Sequence, residues 1–241
     1  MITGKVVLVT GASRGIGEAV ARALAWRGAR VGLFARSAEV LQSLERELDY
    51  PETGGRALAL PGDVTRLSDL RQAAHGLEEA FGPVGALVYC AGANLLAPVW
   101  EIGEESWSRI RAVNLDGAFF ATRAVLPMML SRGQGTIVYI GSLAGRRGYA
   151  GGSVYAASKR GLLGLADSAR QDLRPRGIRV SVILPGEVNT AAFEEGDSDW
   201  KIQPTDVAET VLYVLESDTG VIPATIELQP RRSNPKPRPG V

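Results

Sequence analysis

Lys5-Val6-Val7-Leu8-Val9-Thr10-Gly11-Ala12-Ser13-Arg14-Gly15-Ile16-Gly17 decides the fold. The run up to Thr10 is short, apolar and β-branched, without polar alternation, as expected of a strand buried on both faces. A glycine-rich turn follows, and then a helical pattern over 18–27. Strand, tight turn and helix N-terminus together make an anion site, because unpaired backbone N–H groups and the helix dipole face the same way. The spacing G-x-x-x-G-x-G differs from the general dinucleotide fingerprint. It also lacks the Gly-Lys-Ser/Thr ending of a nucleotide triphosphatase loop.

Working outward, the strand Arg30-Val31-Gly32-Leu33-Phe34-Ala35 runs into Arg36. In sheets that bind NAD, a carboxylate about 20 residues past the glycine turn takes the ribose 2′-hydroxyl, whereas an arginine accommodates a 2′-phosphate. Here that strand end carries no acid, and Arg14 lies inside the turn. The pair favours NADP(H).

Strand and helix patterns then alternate. A helix is predicted over 38–48, a strand over 56–60 ending in Gly62-Asp63-Val64, and a helix over 67–81. The strand 86–90 leads into Ala91-Gly92, followed by one long helix over 104–131 that contains Asn114. Strands over 135–140 and 179–184, a helix over 204–215 and a strand over 224–228 complete the series. Strict alternation implies right-handed crossovers and an α/β fold: a three-layer, Rossmann-type, doubly wound parallel sheet with helices on both faces. Ligands of such sheets sit outside the carboxyl ends of the strands. Gly11, Arg36, Asp63, Ala91, Ser142 and Pro185 all fall at those ends.

Ser142 opens the second informative stretch, a glycine-rich loop that ends in Tyr155-Ala156-Ala157-Ser158-Lys159. Four residues apart on a helix, Tyr155 and Lys159 share a face. A neighbouring ammonium favours the phenolate, so a phenol that titrates near about 10 could exchange a proton closer to neutrality. With a strand-end hydroxyl such as Ser142 beside it, the phenol could polarise a C=O or take the proton of an alcohol.

The bulk composition limits the alternatives. The chain has 241 residues, 45% hydrophobic and 22% charged, with a net charge of +1. That balance gives no electrostatic case for nucleic acid or a membrane surface. One cysteine, Cys90, and one histidine, His75, allow no intrachain disulfide and no Cys/His zinc site, so no metal is expected. His75 lies in a charged, helical stretch and reads as surface. No apolar run approaches the roughly 18 residues of a membrane span, and a cytoplasmic protein is expected. One domain is expected over 1–229, with a substrate lid at about 190–204. The Pro/Arg-rich tail 230–241 reads as a frayed end or an arm on a neighbouring subunit.

These motifs resemble the single-domain short-chain dehydrogenase/reductase family over nearly the whole chain. The resemblance rests on Thr10 to Gly17, Asp63-Val64, Ala91-Gly92, Asn114, Ser142, Tyr155 with Lys159, and Pro185-Gly186 with Thr190, in the family's order. It implies a catalytic group of Asn114, Ser142, Tyr155 and Lys159. Tyr155 would be the acid/base, Ser142 would hold the substrate oxygen, and Asn114 would anchor a water that relays protons through Lys159. Lys159 would also hold the nicotinamide ribose. Cofactor contacts would come from Gly11, Ser13, Arg14, Gly15, Ile16, Gly17, Arg36, Asp63, Val64, Ala91, Gly92, Tyr155, Lys159, Pro185, Gly186, Val188 and Thr190. A homotetramer or homodimer, packed partly through the helices of Asn114 and Tyr155, is also implied.

The expected activity is NADP(H)-dependent interconversion of a carbonyl and a secondary alcohol in a small molecule. Two alternatives stand beside it: a 3-oxoacyl thioester (acyl-carrier-protein) reductase, and an NADP(H)-sensing protein that kept the fold and lost the chemistry. Arg146 and Arg147 could bind an acidic carrier or a substrate carboxylate, or be solvated. The sequence also departs from the family in having Cys90-Ala91-Gly92 where Asn-Ala-Gly is usual. A thiol bridges backbone groups poorly, so some loss of local rigidity is expected there. Its ending, Ala224 to Arg232, lacks the Val-Asp-Gly-Gly type segment of many 3-oxoacyl reductases.

Overall fold

The computed structural model describes residues 2–190, 200–217 and 220–232. Seven parallel strands form one sheet: β1 (Val6–Thr10), β2 (Arg30–Ala35), β3 (Arg56–Pro61), β4 (Ala86–Tyr89), β5 (Gly135–Ile140), β6 (Ile178–Pro185) and β7 (Thr225–Leu228). Their order is β3-β2-β1-β4-β5-β6-β7. Chain progression runs one way from β1 to β3 and the other way from β4 to β7. The β1/β4 junction is therefore the switch point where a crevice opens. Val7 pairs with Val31 on one side and with Ala86 on the other.

Helices cover both faces. On one lie α1 (Gly15–Trp26), α2 (Ala38–Glu47) and α7 (Pro204–Glu216), whose Val20, Leu24, Leu41, Val207 and Val211 pack on Val7, Val9 and Val31. On the other lie α3 (Leu67–Phe81), α5 (Gly117–Arg132) and α6 (Ser153–Leu173), whose Leu70, Leu77, Ala118, Val125 and Leu162 pack on Leu8, Leu87 and Ile137. Every residue of β1 is buried, which is why that strand shows no polar alternation. Burying each such Val or Leu contributes about 1.5–3 kcal/mol before conformational entropy is counted.

The long helix predicted over 104–131 needs correction. It is divided into α4 (Glu104–Arg111), a π-helical turn over Ala112–Asp116, and α5. Two contacts account for the division. The Tyr89 hydroxyl at the end of β4 donates to the Val113 carbonyl at 2.6 Å, taking that acceptor out of the helical ladder. Gly117 makes room for it, since a Cβ there would overlap Tyr89 Oη. Wide turns of this kind favour functional sites, and this one holds Asn114.

Elsewhere the predicted elements hold, with ends shifted by a few residues. α1 begins at Gly15 instead of residue 18, because the glycine turn supplies its first turn. Of the expected lid, 191–199 lies outside the described residues. Its two flanks are tied together: Val188 bridges Ile202, with Asn189 N donating to Ile202 O at 2.8 Å and Ile202 N to Glu187 O at 3.0 Å. Of the expected tail, 233–241 likewise lies outside. Among the described residues no helix is long and apolar enough to cross a membrane. His75 is exposed and faces Glu79 one turn on.

Candidate active site

A cleft of about 2490 Å³ runs along the carboxyl ends of the strands. Its β1–β3 end is built from backbone. Gly11 and Gly15 have φ of 68° and 60°, in the left-handed region where a side chain is strained. A Cβ at Gly11 would come within 2.9 Å of the Ala91 backbone, and one at Gly17 would overlap the Gly11 carbonyl oxygen. The turn is thus packed backbone against backbone, and Gly15, Ile16 and Gly17 at the start of α1 line the cleft. Ser13, Arg14, Ile16, Arg36, Asp63 and Val64 line the same end, and both arginines are exposed. Asp63 is fixed by Thr65, whose N–H and hydroxyl both donate to Oδ1 at 2.9 Å.

Thr10 joins this end to the centre. Its hydroxyl oxygen accepts from Cys90 N at 3.2 Å and Ala91 N at 3.3 Å, so the β1 and β4 loops are tied through a strand-end threonine. Cys90 lines the cleft floor, and burial pushes its thiol up to about 12, against the pull of Lys159. That fits a small buried hydrophobe better than a thiolate.

Asn114, Ser142, Tyr155 and Lys159 meet past β4 and β5. Asn114 is wholly buried: its Oδ1 accepts from Ala93 N at 2.8 Å, and its Nδ2 donates to Ala93 O and Ser158 Oγ, each at 2.9 Å. Ser158 donates onward to Tyr155 O at 2.7 Å. Lys159 is 5% exposed and donates to Ile140 O at 2.9 Å, leaving ammonium protons free for a cleft ligand. Its Nζ lies 5.8 Å from the Tyr155 ring centroid. Ser142 accepts from Ala144 N at 3.1 Å and keeps its own proton to donate. Gly186 and Val188 line the cleft opposite with Pro185 and Thr190, and a Cβ on Gly15 would touch the Thr190 methyl at 3.3 Å.

With this geometry established, comparison with known proteins is informative. The family model described as short chain dehydrogenase matches residues 5–200. This chain belongs to that family. Its members are oxidoreductases that bind a nicotinamide cofactor. Among curated relatives, the Ketoacyl reductase HetN of Nostoc sp. is 40% identical over 188 residues, covering 78% of this chain and 65% of its own. The Glycine betaine reductase ATRR of Emericella nidulans is 34% identical over 95% of this chain but only 19% of its own. The chain thus spans less than two thirds of either relative.

Two solved structures match in fold over most of both chains. A metagenomic short-chain oxidoreductase in complex with NADP is 34% identical, with a TM-score of 0.82, covering 95% of this chain and 98% of its own. A 3-oxoacyl-[acyl-carrier protein] reductase with bound NAD from Brucella melitensis is 29% identical, with a TM-score of 0.85, covering 94% and 90%.

The residues of this short chain dehydrogenase fit such a cofactor. The glycine cradle, which any Cβ would fill, suits a pyrophosphate, and the unspent protons of Lys159 suit ribose hydroxyls. The electrostatics differ from the sequence expectation. Burial pushes Tyr155 up to about 12; the Ser142 hydroxyl pulls it back and nearby Tyr149 adds to the rise. Burial also lowers Lys159 to about 8, with Cys90 opposing. In the protein alone, then, the phenol is not drawn toward neutrality. Desolvation of the buried phenol is the dominant influence.

The structure brings every predicted site residue but Asn114 to the lining of the one cleft; Asn114 lies buried behind that lining, bonded to Ala93, which does face the cleft. The structure also adds some that the sequence reading left out. Ser158, which steadies both Asn114 and the Tyr155 backbone, was visible in the Tyr-x-x-Ser-Lys spacing. Arg160 was not: it grips the Gly145 carbonyl at 2.9 Å and the Arg146 carbonyl at 2.5 Å. Arg232 reaches the cleft from beyond β7, and no local pattern announces it.

Proposed function

We propose that this chain is an NADP(H)-dependent oxidoreductase that interconverts a carbonyl and a secondary alcohol, with Tyr155 as acid/base. The convergence of Ser142, Tyr155 and Lys159 in the lining of a cleft that also holds a glycine cradle, with Asn114 buried behind them and bonded to Ser158, carries this reading. A sensor has no use for those four groups together. A bound nicotinamide supplies the hydride. The protein's own part is to place and polarise. Ser142, its lone pair held by Ala144 N, donates to the substrate oxygen. Tyr155 gives its proton to that oxygen in reduction and takes it back in oxidation. Lys159 would hold the cofactor ribose. Burial holds Tyr155 at about 12 in the protein alone, and the positive charge of an oxidised nicotinamide would help Lys159 to lower it for the oxidation direction. Asn114 fixes the Ala93 segment and, through its main chain at the π-turn, anchors a water that carries protons to Lys159.

Arg14 and Arg36, without an acid at the end of β2, support NADP(H) over NAD(H). A homotetramer or homodimer and a cytoplasmic setting go with the same reading. The second reading, reduction of 3-oxoacyl thioesters, is favoured by the likeness to HetN and the Brucella melitensis reductase.

Oxidation of NADPH and of NADH, followed at about 340 nm against aldehydes, diketones, oxo acids and 3-oxoacyl thioesters, tests both readings. Turnover that falls by about 10²–10⁴ in Tyr155→Phe, with NADPH binding retained, is expected. Equal turnover in the two proteins would end the role given to Tyr155. Tighter binding of NADH than NADPH would end the role given to the arginines.

A further inference from the structure

We infer that the substrate carries a free carboxylate, held by Arg147 and Arg232 at the mouth of the cleft; this rests on reading the cleft as the site of carbonyl reduction. Adjacent in sequence, Arg146 and Arg147 have separate fates. Arg146 is committed to Glu227 on β7 at 2.9 Å. Its carbonyl and that of Gly145 are gripped by Arg160, one residue beyond Lys159 on α6. The loop is therefore fixed at both its side chain and its backbone, and the next residue, Arg147, lines the same cleft as Ser142 and Tyr155.

The segment after β7 is fixed against the same place. Gly186 N donates to Leu228 O at 2.9 Å. A Cβ at Gly186 would touch Pro230 at 3.3 Å and Leu143 at 3.4 Å, so Pro230 sits over the residue that follows Ser142. Two residues on, Arg232 joins the lining of the cleft. The Arg146–Glu227 pair thus joins two segments, each of which continues into an exposed guanidinium with no acidic partner among the described residues.

Guanidinium groups recognise planar carboxylates with paired, charge-assisted hydrogen bonds. In the same cleft as the Ser142 and Tyr155 hydroxyls, they suit a molecule with its carbonyl at one end and a carboxylate at the other. Glu187 also lines the cleft and disfavours an acid that binds without both arginines.

The test compares oxo acids with their methyl esters, using NADPH and the intact protein. Selectivity for the acid in kcat/KM of about tenfold or more is expected, and Arg147→Gln and Arg232→Gln should each cut that ratio about tenfold, with Arg147→Lys restoring part of it. A ratio near one in the unaltered protein, or one unmoved by the substitutions, would overturn the proposal, as would a preference for the coenzyme A thioester over the acid. Calorimetry with the corresponding non-reducible saturated acid, on the NADPH complex, reads the subsite even without turnover. Binding that depends on Arg147 while no carbonyl is reduced would uphold the carboxylate site and reject the oxidoreductase reading. No binding would reject the carboxylate site itself.

Discussion

Lys159 offers a test of the site that needs neither substrate nor cofactor. Its ammonium is 5% exposed, and burial lowers it from 10.5 to about 8. The fold therefore holds this proton less tightly than the unfolded chain does. Between those two values the unfolded chain holds the proton that the folded protein has released. Stability then rises with pH through this window, and the gain is lost as pH falls through about 8. Integrating the two titrations from about pH 7 to about pH 9.5 gives a gain of about 2 kcal/mol from this one group. Cys90, raised by burial, and the onset of Tyr155 titration act in the opposite sense. Both groups remain in Lys159→Met and cancel in the comparison, apart from the coupling of Cys90 to Lys159, which is smaller than the burial effect on either. Urea unfolding of the two proteins at each pH, extrapolated to water, should show the substitution costing about 2 kcal/mol more at the higher pH. A difference that does not change with pH would mean that Lys159 is well solvated or tightly paired in the free protein. The account of its poised ammonium would then be wrong.

Gly17→Ala drives a methyl into the Gly11 carbonyl, with the Gly11 carbon only 2.6 Å away. Loss of measurable NADPH binding by fluorescence, with about 1–3 kcal/mol lost in unfolding, is expected; a variant that binds normally would refute the backbone-on-backbone cradle. Asn114→Ala removes three hydrogen bonds from a wholly buried site, and a cost of about 2–4 kcal/mol is expected. A double-mutant cycle with Ser158→Ala should give a coupling of about 0.5–2 kcal/mol. Simple additivity would show that the Asn114–Ser158 contact carries no energy.

The sheet was legible because its inner strands are continuous apolar runs, and the cleft because glycines and strand ends mark it. What stayed hidden depends on contacts between segments far apart in sequence. Nothing local in Ala112 to Asp116 announces a wide turn; it follows from the Tyr89 hydroxyl, and from the absence of a side chain at Gly117. The burial that raises Tyr155 in the protein alone was hidden for a similar reason: proximity to a cation can be inferred from a four-residue spacing, but burial cannot. The two arginines after the Ser142 loop looked equivalent until Glu227, about 80 residues on, claimed one of them. The tie through Thr10 was hidden too, since a threonine ending a strand is common and its acceptors lie across the sheet.

The reversal of strand order between β1 and β4 also bears on how such a protein can change over generations. Arg36 directly follows β2 and Arg147 lies in the loop after β5, and these two strands are three strand spacings apart, or roughly 14 Å. Substitutions at that separation usually add without interfering. On the proposed roles of these arginines, redox currency would be chosen on one side of the divide and substrate on the other, so that lineages could exchange either without renegotiating the other. The shared middle, where Thr10, Asn114 and Lys159 interlock, has no such freedom, because a change there is felt on both sides at once.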